Sequence, residues 1–203
     1  MTRSIRRTSR PRQHALATRR IIRVLPEGAV TEPGYLIEWA REHRRTIDLR
    51  VDRGSAGCAP LTLVRRAREL ARSRDRDFDE IWCVFDVNAH PDVNSAIAEA
   101  RDSGIQVAVS NPCFELWMVL HVENREAYVH RHEIQRRARE LGLLDGKSIP
   151  ESARQRLTDG YEDAKRRARQ LDTRHLGVSP PGSNPSSGVW RLVDSIRGHG
   201  AHD

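Results

Sequence analysis

Polar side chains that can bind a metal or move a proton follow three short apolar runs of this sequence. Glu27 follows the first run, Asp86 follows another, Ser110 and Asn111 follow a third, and Glu115 lies about one helical turn further on. Carboxylate and amide oxygens are hard ligands that suit Mg²⁺ or Mn²⁺. If these side chains converge, they would form a site for a divalent cation.

Asn88 and His90 continue the pattern that begins at Asp86. An extended chain has a period of two, which would send these three side chains to the same side of the backbone. An Asx-type turn that leads to a helix N-cap at Asp92 explains the same residues about equally well. A lone histidine such as His90 is also more often a turn or cap residue than a ligand.

Short β-branched or apolar runs predict four strands. They cover residues 21–25, 47–51, 81–85 and 105–109, and amphipathic stretches that predict helices separate them. Alternation of strand and helix is typical of right-handed parallel crossovers, so the fold class is α/β with a Rossmann-like parallel sheet. Parallel strands present their carboxyl ends at one edge, where Glu27, Asp86 and Asn111 should meet.

The remainder of the chain is predicted to be mostly helical. Helical spacing is found at residues 114–122, 131–141, 161–171 and 189–196. The predicted helix starts include Thr31 as an N-cap. The sequence therefore predicts a basic disordered tail (1–20), an α/β core (21–122) and a helical extension packed on that core (123–203).

The net charge of +7 is concentrated in the amino-terminal tail. Residues 1–23 hold eight arginines, including Arg19, Arg20 and Arg23, and no acidic residue. The remaining chain, with 27 basic and 28 acidic residues, is close to neutral. The tail predicts loose binding of nucleic-acid phosphates through these arginines. A disordered, solubilising arm explains the same composition about as well.

Several functional classes are disfavoured by features that the sequence lacks. Neither an apolar run near the roughly 18 residues of a membrane span nor a signal-peptide core is present, which predicts no membrane association and no secretion. Three widely spaced cysteines are typical of reduced thiols in a cytoplasmic protein. Neither GxGxxG nor GxxxxGK[ST] follows the first strand, which disfavours a dinucleotide oxidoreductase and a self-sufficient nucleotide hydrolase.

Several strings of this sequence resemble the RloB-like family. They are Glu27-Gly28-x-x-Thr31-Glu32, Trp82-Cys83-Val84-Phe85-Asp86, the highly specific Asn111-Pro112-Cys113-Phe114-Glu115-Leu116-Trp117, and Asn184-Pro185-Ser186. The resemblance covers nearly the whole chain. Proteins of this family are similar to the toprim group of metal-dependent phosphotransfer domains, so the resemblance implies a toprim-like core.

The resemblance also implies roles for individual residues. Glu27 matches the general acid or base of a toprim-like site, and Asp86 matches the first position of a DxD pair that holds Mg²⁺. Glu27, Asp86 and Asn88 would then form the metal site. Asn88 replaces the expected second aspartate, and its neutral amide attracts a divalent cation less strongly. Glu115 would be a further catalytic carboxylate. The missing negative charge could come from Glu115 or from Asp92.

Two functions from different classes follow from the resemblance. The first is a Mg²⁺- or Mn²⁺-dependent nuclease that cleaves RNA or DNA as a phage-defence effector beside an AAA-type ATPase partner. The second is a non-catalytic toprim-like module that binds nucleic acid or the ATPase and has a metal site weakened at Asn88. Glu32, His90 and Asn111 would lie near the site, although Asn111 could instead cap the helix that follows it.

Restoring the missing carboxylate tests the role of Asn88. We expect Asn88→Asp to tighten Mg²⁺ or Mn²⁺ binding, because divalent affinity follows the number and charge of the oxygen ligands. Isothermal titration calorimetry with Mn²⁺ measures the change, with Asp86→Ala as the variant expected to lose binding. Unchanged affinity in Asn88→Asp would show that Asn88 is a turn residue.

Overall fold

One sheet organises the molecule. The computed structural model of the protein describes residues 19–87, 90–174 and 182–198. Its strands there are β1 (Arg20–Pro26), β2 (Ile47–Val51), β3 (Glu80–Asp86), β4 (Gln106–Asn111) and β5 (Ser186–Ser187). Their order is β2-β1-β3-β4-β5, and each neighbouring pair is parallel except β4 and β5. The predicted α/β class is confirmed.

Helices cover both faces of this sheet. They are α1 (Thr31–Glu42), α2 (Pro60–Arg72), α3 (Val93–Asp102), α4 (Glu115–Leu120), α5 (Arg131–Glu140), α6 (Glu151–Asp159), α7 (Tyr161–Arg174) and α8 (Val189–Ile196). All the predicted helices are present, whereas α6 and β5 were not predicted. In α6 only Ala153 and Leu157 are buried, which leaves little apolar pattern to detect. Within the described ranges, none of the helices combines the length and the apolar character needed to cross a membrane.

The central strand is β3, which lies between β1 and β4 and is buried from residue 81 to residue 86. Alternate side chains of a strand point to opposite faces of the sheet. Trp82 and Val84 accordingly pack into one apolar cluster, and Cys83 and Phe85 pack into another. An uninterrupted apolar run is the sequence signature of such a doubly buried strand.

The two faces of the sheet are covered by different parts of the chain. Leu63 of α2 and Ala96 of α3 belong to the cluster on the first face. Leu36 of α1, Trp117 of α4 and Leu192 of α8 belong to the cluster on the second face. The carboxyl-terminal helices therefore share an apolar core with the sheet and with α1.

The strand register aligns the carboxyl ends of the parallel strands. Pro26 at the end of β1 pairs with Val84, and Asp86 at the end of β3 pairs with Ser110 of β4. The backbone N–H of Glu27 donates to the carbonyl of Val84 at 2.8 Å. The ends of β1, β3 and β4 thus meet at one edge of the sheet, as predicted.

Neither of the two predicted helix caps forms a side-chain capping bond. The Thr31 hydroxyl makes no capping bond and instead donates to the carbonyl of Lys147 at 2.9 Å. Asp92 precedes α3 but its side chain makes no capping bond either. A cap is a local preference that a tertiary partner can override, and Lys147 is such a partner for Thr31.

A buried histidine joins α1 to α4 and the turn after it. The Nδ1 of His121 lies 2.9 Å from the Trp117 carbonyl, and its Nε2 lies 3.0 Å from the Tyr35 hydroxyl. A carbonyl only accepts, so Nδ1 carries the proton and Nε2 accepts from the hydroxyl. Burial lowers the pKa of His121 to about 4. The ring is therefore neutral in the folded protein at neutral pH, and it has a structural role in joining these elements.

This histidine should make folding pH-dependent. Above its ordinary pKa of about 6.5 both states are neutral, whereas below it only the unfolded chain takes up the proton. We expect the free energy of unfolding to fall by about 2 kcal/mol between pH 7.5 and pH 5 from this residue. Urea denaturation at the two pH values measures the change. His121→Gln cannot titrate, so an equal pH dependence in that variant would contradict the assignment.

Candidate active site

Four carboxylates converge at the carboxyl edge of the sheet. Glu27 follows β1, Glu32 lies in the first turn of α1, Asp86 ends β3 and Glu115 begins α4. The negative charges of Glu32, Glu115 and Glu27 all act on Asp86. We refer to these four side chains as the carboxylate cluster. It brings together the three predicted catalytic residues and Glu32.

Asp86 is the most strongly perturbed member of the carboxylate cluster. Its side chain is buried, and burial is the main reason that its pKa is raised well above the ordinary range. The charges of Glu32, Glu115 and Glu27 raise the pKa further, while Arg131 lowers it. A carboxylate held in this way is destabilised in its ionised form, and strongly perturbed groups of this kind are typical of functional sites.

Glu27 links the first strand to the third. Its Oε2 accepts a hydrogen bond from the backbone N–H of Asp86 at 3.2 Å, and its Oε1 lies 3.0 Å from Nε2 of His90. Because an ionised carboxylate only accepts, the imidazole donates through Nε2. The structure thus places His90 against Glu27. The Asp86 amide holds one oxygen of the Glu27 carboxylate, and His90 holds the other.

Glu32 occupies a position that only glycine at residue 28 allows. A Cβ atom on Gly28 would lie 1.9 Å from Oε2 of Glu32, which is far inside any contact distance. Burial raises the pKa of Glu32, and the charges of Glu115 and Glu27 raise it further. The sequence predicts Glu32 only as a polar residue near the site. The signal that could have identified it is its position in the first turn of α1, just after Glu27 and Gly28.

Glu115 connects the carboxylate cluster to α5. Its Oε1 accepts a hydrogen bond from Nε2 of Gln135 at 3.3 Å. Next to it, Cys113 is fully buried, and burial with the charges of Glu115 and Asp86 raises the pKa of its thiol. This thiol stays protonated near neutral pH. Cys113 is therefore unsuited to act as a nucleophile.

The two predicted asparagines of the site have different outcomes. Asn111 ends β4 at the expected edge, but its side-chain amide donates to the carbonyl of Gly182 at 3.0 Å. It thus ties the carboxyl-terminal segment to the sheet. Asn88, the predicted second metal ligand, lies outside the described residues, and its role stays a prediction.

The predicted phosphate-binding arginines lie away from the carboxylate cluster. Arg20 begins β1 at the opposite edge of the sheet and pairs with Glu80 at 3.4 Å. Arg23 pairs with Asp52 at 3.5 Å, and Arg19 makes a 3.5 Å bond to a backbone carbonyl. Acidic partners therefore engage two of the three guanidinium groups. Nucleic-acid binding by these arginines stays a prediction, and the tail before residue 19 lies outside the described residues.

The carboxylate cluster has the chemistry of a magnesium site without a preformed set of ligands. Among the described residues, no group of three or more His, Cys, Asp or Glu side chains is placed to hold a metal ion. Glu32 is folded over Gly28, and the two oxygens of Glu27 contact His90 and the Asp86 amide. Four hard oxygen donors nevertheless suit Mg²⁺ or Mn²⁺, and bound cation charge would offset their repulsion.

Because its carboxylates repel one another, we expect the carboxylate cluster to lower the free energy of unfolding when no metal is bound. A raised pKa of a buried acid means that ionisation is less favourable in the folded state than in the unfolded state, so stability is lost as the pH rises. We expect Asp86→Asn to raise the melting temperature in EDTA at pH 7.5 by about 2–4 °C or more, the shift for about 1 kcal/mol in a domain of this size.

Asp163→Asn is the matched control for this measurement. Arg166 holds the pKa of Asp163 below its ordinary range, so neutralising this exposed acid removes a favourable contact. Differential scanning fluorimetry of both variants in EDTA provides the comparison. A melting temperature for Asp86→Asn at or below that of the unmodified protein would show that the carboxylate cluster carries no such repulsion.

Comparison with known proteins supports one assignment. A family model described as RloB-like protein matches residues 22–196, which is most of the chain. Comparisons with curated proteins and with solved structures gave no match.

Proposed function

Because this chain belongs to the RloB-like protein family, we propose that it is a metal-dependent nuclease that hydrolyses phosphodiester bonds of RNA or DNA. The observation that carries the proposal is the convergence of Glu27, Glu32, Asp86 and Glu115 at the carboxyl edge of a parallel sheet. Open α/β sheets bind their ligands at this edge. The toprim-like resemblance supports the reaction class.

The oxygen donors of the carboxylate cluster suit a divalent cation, and their side chains would have to close around the ion to bind it. Asp86, Glu32 and Glu115 would hold Mg²⁺ or Mn²⁺, together with Asn88 as the sequence predicts. When bound, the cation would neutralise charge on the phosphate undergoing attack. The same charge would relieve the repulsion that raises the pKa of Asp86 and of Glu32.

Glu27 is the proposed proton acceptor. A water molecule that attacks phosphorus must lose a proton as its oxygen bonds to phosphorus and the bond to the leaving oxygen breaks. The 3.0 Å contact with His90 and the 3.2 Å bond from the Asp86 amide fix the Glu27 carboxylate at the site edge. A fixed carboxylate accepts a proton without first reorganising, which favours catalysis.

A second function is favoured by one observation. Within the described residues the carboxylates are not grouped as a ready metal site. A toprim-like module that binds a partner protein, or binds nucleic acid without cleaving the strand, needs no metal at this edge. The carboxylate cluster would then be a remnant of the site.

The proposed cellular role is that of a cytoplasmic phage-defence effector that works with an AAA-type ATPase. The family resemblance supports this role. Co-expression of the chain with an ATPase from its own locus, followed by size-exclusion chromatography, tests whether the two proteins form a complex.

Metal-dependent melting separates the two functions. A ligand that binds only the folded state raises the melting temperature. We expect millimolar Mn²⁺, compared with EDTA, to raise it for the unmodified protein and for Glu27→Gln, but not for Asp86→Ala. The absence of a shift in the unmodified protein would favour the non-catalytic module.

Cleavage assays then test the role of Glu27. Because a general base contributes about 100- to 10,000-fold to rate, we expect Glu27→Gln to slow cleavage by that factor while retaining the Mn²⁺ shift. Mixed tRNA, single-stranded DNA and duplex DNA are the substrates to compare. Equal cleavage by Glu27→Gln and the unmodified protein would remove Glu27 from the mechanism.

A further inference from the structure

Two exposed apolar side chains precede the helices that carry or contact the carboxylate cluster. Tyr128 is 67% exposed and Val30 is 41% exposed, and the described part of the chain has no other exposed large apolar side chain. Val30 directly precedes α1, which carries Glu32 in its first turn. Tyr128 lies three residues before α5, the helix that contacts Glu115. An exposed aromatic ring in the segment that leads into α5 offers a flat apolar face for ligand contact.

The backbone next to Tyr128 is hydrogen-bonded to the carboxyl-terminal segment. The side-chain amide of Asn184 donates to the carbonyl of Val129 at 2.9 Å, and its oxygen accepts the Val129 N–H at 3.1 Å. The Val129 side chain is buried, whereas Tyr128 and His130 on either side are exposed. Asn184 therefore clamps an extended segment that presents alternate side chains to solvent.

The two exposed rings of this segment contact each other. The ring centroids of Tyr128 and His130 are 5.1 Å apart, with an angle of 84° between the ring planes. Edge-to-face packing of this kind orients an aromatic ring. Tyr128 is thus an oriented ring that remains open to solvent.

Arg131 directly follows His130 and lies close enough to the carboxylate cluster for its charge to act on Asp86. Arg131 begins α5, and Gln135, one helical turn later on the same face, donates to Glu115 at 3.3 Å. Among the described residues, no hydrogen bond or ion pair occupies the Arg131 guanidinium. This arginine is therefore available to a phosphate at the edge of the site.

We propose that Tyr128, His130 and Arg131 form a platform for single-stranded nucleic acid, in which a base stacks on Tyr128 and Arg131 holds an adjacent phosphate. The proposal rests on the proposed nuclease function for the position of the scissile phosphate. Stacking on a protein ring requires a base face that is not covered by a neighbouring base, which a single strand offers and a duplex does not.

Binding to intact and abasic strands tests the stacking contact. The full chain in EDTA is titrated into a labelled strand of roughly 12 thymidines, or the same strand with abasic sites, and fluorescence anisotropy is recorded. We expect Tyr128→Ala to weaken binding of the intact strand about 5-fold or more and to leave the abasic strand unchanged. Tyr128→Phe keeps the ring and should bind both strands as the unmodified protein does.

The salt dependence of binding tests the phosphate contact. We expect Arg131→Gln to weaken binding of both strands and to reduce the slope of log affinity against log salt by about 0.7, the value for one phosphate contact on a single strand. Arg72→Gln is the matched control. Arg72 is an exposed arginine at the end of α2, a helix that runs antiparallel to the strands and so ends near their amino edge.

The outcomes separate this proposal from the proposed function. Equal binding of the intact strand by Tyr128→Ala and the unmodified protein overturns the platform, even if metal-dependent cleavage is observed. An equal loss in Arg131→Gln and Arg72→Gln overturns the phosphate contact. If the expected losses occur in EDTA while Mn²⁺ neither shifts melting nor supports cleavage, the platform stands and the nuclease proposal fails.

Discussion

Repulsion among four carboxylates at one edge of the sheet is the constraint on which this site depends. Asp86 is buried at the end of the central strand, and three further negative charges disfavour its ionisation. Such an arrangement opposes folding, so stability must come from elsewhere in the molecule. The doubly buried run from residue 81 to residue 85 and the aromatic cluster around Trp117 provide apolar burial that offsets the repulsion.

The carboxyl-terminal helices complete the site as well as the core. α5 supplies Gln135, which contacts Glu115, and Arg131, whose charge acts on Asp86. Asn184 fixes the segment that enters α5, from a loop that lies far along the chain. Hydrogen bonds therefore join the sheet to the carboxyl-terminal helices at the carboxyl edge. A change in either part would alter the surroundings of the carboxylates.

The sequence by itself determined the sheet, most of its helices and the places where three members of the carboxylate cluster lie. A buried parallel strand needs an apolar run, and a polar residue such as Glu27 or Asp86 marks the point where that run ends. Both signals are local, so they can be recognised without tertiary contacts. Weak or very short elements escaped recognition: β5 has two residues, and α6 buries only Ala153 and Leu157.

Only the tertiary structure decided which polar groups meet. The carboxylate of Glu32 lies against Gly28, and Arg20 pairs with Glu80 of the neighbouring strand. The clamp of Asn184 on the segment before α5 likewise joins distant residues. A sequence pattern indicates whether each side chain is expected to be buried or exposed to water. The partner that finally satisfies or perturbs its charge is set by packing across the whole fold.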